Sequence, residues 1–146
     1  MYYYLPVMRK KYTQDSLTTV QGGDSGKTKS VSVIVYSQNE SDLIPSLIEN
    51  LFKQEYEGEF EVIVINDAST DDTRDVVEQL QNSYPSLRLC TVPIGSRSPN
   101  RKKLALSIAM KAAQYDIVLH TEANALPQSP FWIAKMVEQI NRNEEV

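Results

Sequence analysis

Val62-Ile63-Val64-Ile65-Asn66-Asp67-Ala68-Ser69-Thr70-Asp71-Asp72-Thr73 is an apolar run that ends in a cluster of acids and hydroxyls. Val62 to Ile65 are all β-branched aliphatics, and an unbroken run of that kind suits a strand buried on both faces, as in a parallel sheet. The Ser/Thr/Asp cluster behind it supplies helix N-caps, with carboxylates where the helix dipole favours them. The stretch therefore reads as strand, acidic loop, helix. In an open parallel sheet, ligands bind beyond the carboxyl ends of the strands, which is where Asp67 falls. Asp71 and Asp72 are sufficiently explained as the start of the next helix. Asp67 precedes the cap and is the candidate for a ligand contact.

The composition bounds the reading. A chain of 146 residues is one domain by default and can bury a full core. Its net charge of −4 argues against nucleic acid as a partner, because a duplex binder shows a basic face. One cysteine, Cys90, excludes an internal disulfide and any multi-cysteine metal site, and its apolar surroundings point to a core thiol. One histidine, His120, excludes a histidine-rich metal site; near the end of a buried strand, it reads as packing. No run of about 20 apolar residues is present to span a membrane, and no signal peptide opens the chain. Asn39-Glu40-Ser41 matches a glycosylation acceptor pattern, which we take as coincidence.

Outward from the central stretch, strands and helices alternate. Val31–Tyr36, Phe60–Ile65, Leu87–Val92 and Asp116–His120 read as strands. Between and after them lie four helical patterns. The first, capped by Ser41 or Asp42, carries Leu43, Ile44, Leu47, Ile48, Leu51 and Phe52 on one face. The second follows Thr73 and stops before Pro85. The third is opened by Ser98-Pro99 and carries Leu104, Ile108, Ala109, Ala112 and Ala113. The last is opened by Ser129-Pro130 and carries Trp132, Ile133, Met136, Val137 and Ile140. With right-handed crossovers this is an α/β, doubly wound, mostly parallel Rossmann-like sheet with helices on both faces. Residues 1–30 differ in composition and read as a flexible leader and linker, which leaves 31–146 as the folded part. Gly22 to Thr28 ends like a phosphate-binding loop, but residue 21 is Gln rather than Gly, and a strand follows instead of the required helix. The motif is rejected. The chain stops in register after its fourth helix, which reads as the first part of something longer.

Acids follow three of the strands: Glu40, Asp67 and Glu122. In a doubly wound sheet they converge on one rim. A dinucleotide site needs a glycine-rich first turn, and Ser37 to Ser41 has no glycine. Convergent carboxylates suit hydrogen bonds from a base or ribose, or a hard cation held together with phosphates.

Three stretches, Val31-Ser-Val-Ile-Val…Asn39-Glu40, Val64-Ile65-Asn66-Asp67-Ala68-Ser69-Thr70-Asp71 and Leu119-His-Thr-Glu122-Ala123-Asn124…Pro127, together resemble the nucleotide-sugar half of family 2 glycosyltransferases of the GT-A fold. Lys102-Lys103-Leu104-Ala105-Leu106 lies where that family starts a basic, alanine-rich helix. The resemblance covers about residues 30–140 and implies a sheet ordered 3-2-1-4 with a UDP-sugar donor on its carboxyl rim. Matched by position, it implies that Glu40 contacts the nucleoside, that Asp67 accepts from the base N3–H, and that Lys102 or Lys103 lies near the donor. Glu122-Ala123-Asn124 stands where the family has Asp-x-Asp, whose acids contact ribose and hold a divalent metal on the diphosphate. Here one acid is lengthened and the other is neutral, so the resemblance implies Mn2+ or Mg2+ held only weakly by Glu122 and Asn124. It further implies inverting transfer to a carbohydrate or lipid-linked acceptor, as in polysaccharide biosynthesis, with no nucleic acid involved. The location implied is cytoplasmic, or the cytoplasmic membrane face if the full-length protein is membrane-attached. The catalytic base and acceptor site belong to a second half, so this piece alone is expected to be inactive. Two rivals remain on the same residues. One is a non-catalytic nucleotide-binding or scaffold module, favoured by the altered metal motif. The other is a nucleotidyltransferase, disfavoured because Ser37-Gln38-Asn39 is not a glycine- and basic-rich loop.

Overall fold

The computed structural model describes residues 8–9, 29–92 and 100–144. Most of the expected leader, the rejected Gly22–Thr28 motif and the Ser98-Pro99 helix start lie outside the described residues. In chain order the elements are β1 (Met8–Arg9), β2 (Val31–Ser37), α1 (Ile44–Phe52), β3 (Phe60–Asp67), α2 (Thr73–Gln81), β4 (Leu87–Val92), α3 (Arg101–Ala112), β5 (Ile117–Glu122) and α4 (Trp132–Glu144). The sheet order is β1-β5-β2-β3-β4. β5, β2, β3 and β4 are parallel, which is the expected order 3-2-1-4 when these four are counted along the chain. β1 adds a short antiparallel pair on the outer edge, with Met8 opposite Val118 and Arg9 opposite Ile117. That pairing lies within the segment read as leader from its composition. Two residues carry too little periodicity to be read as a strand.

Alternation along each strand divides the core in two. Val31, Val33, Val35, Val62, Val64, Ile117 and Leu119 face α1, α2 and α4. Ile34, Ile63, Ile65, Val92 and Val118 face α3 alone. Both sets are buried, so each central strand is covered on both sides, as its unbroken aliphatic run requires. Ala105, Ala109 and Ala113, spaced by four, are fully buried against the second set. Their short side chains let the α3 backbone lie close to the sheet. The sequence pattern places Leu104, Ile108 and Ala112 on the buried face as well; the structure puts Leu104 and Ile108 at the margin of this cluster.

The helix starts differ from expectation for local reasons. Neither Ser41 nor Asp42 caps α1: its N-cap is Leu43, with no side-chain cap, and Pro45 opens the first turn. The Glu40 carbonyl accepts from Leu43 and Ile44 N–H at 3.0 and 3.2 Å, so a turn stands in for the cap. α3 is capped by Asn100, whose side chain accepts from Lys103 N–H at 3.0 Å. Ser129 accepts from Phe131 N–H at 3.1 Å, and α4 begins at Trp132. No helix among the described residues is long and apolar enough to cross a membrane.

Candidate functional site

At the carboxyl rim, the loops after β2 and β3 are tied together. Asn39 sits at φ 55°, a left-handed conformation that asparagine tolerates better than most residues. Its Oδ1 accepts from Thr70 N–H at 2.6 Å and Asp71 N–H at 3.3 Å, and its own N–H donates to Ser69 Oγ at 2.9 Å. Asp71 accepts from Ser41 N–H at 3.1 Å through one oxygen and from Thr73 N–H at 3.0 Å through the other. Slight burial pulls the Asp71 carboxyl up, but the hydrogen bonds from Thr73 and Ser41 outweigh it and hold it at about 2. Asp71 thus starts α2, as expected, and also pins the neighbouring loop. Asp72 takes the N-cap position without a side-chain cap bond.

Asp67 ends β3 on the face covered by α3, and only 1% of it is exposed. A buried carboxylate needs a cation or several donors, and Asp67 has both. Arg101 donates to its Oδ1 from Nε at 3.1 Å and Nη2 at 2.6 Å. The Tyr36 hydroxyl donates to Oδ2 at 2.5 Å. Burial, followed by that hydrogen bond and the Asp67 charge, pushes the Tyr36 phenol up to about 12. One step along the rim, Lys102 Nζ donates to Glu122 Oε1 at the end of β5 and lies 5.3 Å from the Tyr36 ring centroid, over its face. Tyr36 therefore stands between two ion pairs. Beneath them His120 is 2% exposed, and neither ring nitrogen has a partner among the described residues. Burial, and then the Lys102 charge, lowers its pKa to about 4.

Of the residues singled out in the sequence, Asp67, Lys102 and Glu122 meet on this rim. Glu40 is half-buried at the loop after β2, where its Oε1 accepts from Gln38 N–H at 3.3 Å, and its charge reaches Tyr36. Lys103 is exposed, and its backbone N–H donates to the Asn100 side chain that caps α3. Asn124 is exposed in the turn after β5, closed by Ala125 N–H to the Glu122 carbonyl at 2.9 Å. Cys90 is half-buried rather than a full core thiol, and burial raises its pKa. Sequence reasoning missed Arg101 and Tyr36. Both carried a signal. Arg101 lies four residues before Ala105 on the buried alanine stripe, and Tyr36 alternates with Ile34 on the face that meets α3.

A divalent metal of the kind the resemblance implied does not fit the donor set. Among the described residues, no group of three or more His, Cys, Asp or Glu side chains is placed to hold an ion. Glu122 is the single carboxylate of its motif and is paired with Lys102, while Asn124 offers a neutral oxygen. Hard cations prefer several charged oxygens.

The glycosyl transferase family 2 profile matches residues 32–146. The chain belongs to that family. Among relatives of this family 2 chain is the poly(ribitol-phosphate) beta-N-acetylglucosaminyltransferase TarS of Staphylococcus aureus, 33% identical over 64% of this chain and 16% of the relative. The beta-monoglucosyldiacylglycerol synthase of Nostoc sp. is 31% identical over 68% of this chain and 21% of its own length. The chain thus spans about a sixth to a fifth of these curated relatives. Among solved structures, S. aureus TarS in complex with UDP superposes with a TM-score of 0.65 at 28% identity, over 79% of this chain and 33% of that one. A Pyrobaculum calidifontis mannosyltransferase in complex with GDP-Man and Mn2+ gives 0.59 at 35% identity, over 68% and 29%. This family 2 chain therefore has the GT-A architecture.

Proposed function

We propose that residues 31–146 form the nucleotide-sugar-binding part of an inverting glycosyltransferase, with a UDP-sugar as donor and a carbohydrate or lipid-linked molecule as acceptor. The observation that carries the reading is the Asp67–Arg101–Tyr36–Lys102–Glu122 cluster on the carboxyl rim. It supplies acceptors for a base and ribose beside cationic side chains for a diphosphate, at the place where open parallel sheets take ligands. The relatives solved with UDP and GDP-Man support the same chemistry. Asp67 would serve the base, with Arg101 and Tyr36 fixing its orientation. Glu122 would serve the ribose, and Glu40 the outer edge of the nucleoside. No residue of this chain is assigned as the general base. Such a group needs a carboxylate set against the acceptor hydroxyl, and both acids in the cluster are held by cations. In the whole protein this part would act in the cytoplasm, or at the cytoplasmic face of a membrane if the full-length protein is membrane-attached. Calorimetric titration with UDP, GDP and UDP-sugars tests the reading. UDP is expected to bind, and Asp67→Ala to weaken it by about 1.5–3 kcal/mol, the scale of a charged hydrogen bond. Equal UDP affinity in wild type and Asp67→Ala would remove Asp67 from the site.

A further inference from the structure

We propose that Lys102 takes the place of the divalent cation: its ammonium neutralises the donor diphosphate, so nucleotide binding by this chain needs no metal. The inference rests on the nucleotide-sugar reading above. It starts from charge. A cation bridging a diphosphate is held by carboxylates that together carry the opposite charge. Here the motif retains one carboxylate, Glu122, because its third position is Asn124. Glu122 Oε1 is already in contact with Lys102 Nζ, and Glu122 is mostly buried while the lysine reaches solvent. A divalent ion at Glu122 would have to displace the ammonium or sit beside it, and a +2 and a +1 charge a few Å apart repel strongly.

The lysine is well placed for the substitution. It is the second residue of α3, whose N-terminal turn carries partial positive charge toward the rim. Glu122 on one side and the Tyr36 ring, 5.3 Å from Nζ, on the other flank its ammonium. An ammonium has three donors, so one can stay on Glu122 while the others meet phosphate oxygens. Lysine binds phosphate as a compact point charge, which is also how it replaces an ion. Arg101, one residue earlier, is committed to Asp67. The two cations thus divide the donor between them: Arg101 orders the base end, and Lys102 holds the diphosphate end.

The experiment is calorimetry on the 146-residue chain with uridine, UMP and UDP, each in EDTA and in 1 mM Mn2+, for wild type, Lys102→Met and Lys102→Arg. In wild type, UDP affinity is expected to change less than threefold between EDTA and Mn2+. Lys102→Met should weaken UDP more than tenfold in EDTA and leave uridine within twofold, with Mn2+ recovering part of the loss. Lys102→Arg should keep most of the UDP affinity, and circular dichroism checks that each variant is folded. If wild-type UDP binding tightens tenfold or more with Mn2+, or Lys102→Met binds UDP like wild type in EDTA, the lysine inference falls while the nucleotide reading stands. If neither uridine nor UDP binds in any condition, the nucleotide reading falls and the lysine inference with it.

Discussion

His120 gives a prediction that can be worked through from the buried site. Its imidazole lies on the α3 face, in register with Ile34 and under Lys102, and burial followed by the Lys102 charge sets its folded pKa at about 4, against 6.5 for the free side chain. The folded value is the lower one, so between these pH values the unfolded chain binds the extra proton. Stability is then fully present above pH 6.5 and is lost as pH falls toward 4. The whole interval is worth about 3 kcal/mol, and by pH 5 the protonated unfolded state has gained about 2 kcal/mol. Urea denaturation followed by circular dichroism at pH 7.5 and pH 5.0, in EDTA and without nucleotide, measures the difference. His120→Leu supplies the control. It removes two buried nitrogens that have no partner among the described residues, so at pH 7.5 it should be within about 1 kcal/mol of wild type or more stable, and the dependence between pH 5 and 7.5 should flatten by about 2 kcal/mol. Asp71, held at about 2, loses its contribution only at lower pH and does not enter this window. Equal pH dependence in the two proteins would mean that His120 is not held neutral, and the account of the face beneath Lys102 would be wrong.

Other residues carry their own tests. Tyr36→Phe removes the donor on Asp67 Oδ2 and should cost about 1 kcal/mol of stability in urea denaturation, with UDP binding also weakened. Arg101→Met leaves a buried carboxylate with the tyrosine alone; because the arginine is partly exposed, the cost is expected at about 2 kcal/mol rather than the full value for a buried pair. Asn39→Ala removes the acceptor that ties the two rim loops together and should lower stability by about 1 kcal/mol. The double variant Lys102→Met with Asn124→Asp gives the motif two carboxylates and no competing ammonium, so UDP binding should become Mn2+-dependent by tenfold or more in calorimetry.

What could be read from the sequence followed the periodicity. Val62 to Ile65 could only be a doubly buried strand, and its exit at Asp67 puts a carboxylate on the rim from the sequence pattern alone. The strand order came from the family resemblance rather than from the pattern, because alternation says which face a residue takes and not which strand lies beside it. The pairing of Arg101 with Asp67 was hidden by proximity in sequence. Three basic residues stand together at 101–103, and only the alanine stripe at 105, 109 and 113 separates the one that reaches the sheet from the one in solvent. The helix caps were misread because Ser41 and Ser129 have the right chemistry one or two residues too early. Pro45 and the turn from Glu40 decide where α1 starts. The edge pairing of Met8 and Arg9 depends on backbone groups, which side-chain patterning does not report.

The site depends on how α3 is held, and two anchors compete as explanations. At its far end, Arg88 Nη1 donates to the Ala112 carbonyl at 2.7 Å and to Glu61 at 3.0 Å; Glu61 also accepts from Ser32 Oγ at 2.6 Å and Gln114 N–H at 2.7 Å. At its near end, Arg101 grips Asp67. Between them runs the alanine stripe against Ile34, Ile63 and Ile65. If charge set the helix position, loosening Arg88 would be felt at the rim. If packing set it, the stripe would matter more. Alanines that are fully buried leave no slack, since interiors are close-packed and added volume forces displacement. Arg88→Met is therefore expected to cost about 2 kcal/mol, because Glu61 keeps its other two donors and the arginine is partly exposed, and to leave UDP affinity of the folded protein within twofold. Ala109→Leu should cost about 1–3 kcal/mol and also push α3 off the sheet, carrying Arg101 and Lys102 away from Asp67 and Glu122. It should weaken UDP binding more than fivefold. Calorimetry on both variants, at a urea-free temperature where each is folded, separates the two accounts. A large loss of affinity in Arg88→Met with none in Ala109→Leu would mean that the buried ion network, and not the alanine stripe, positions the cations of the site.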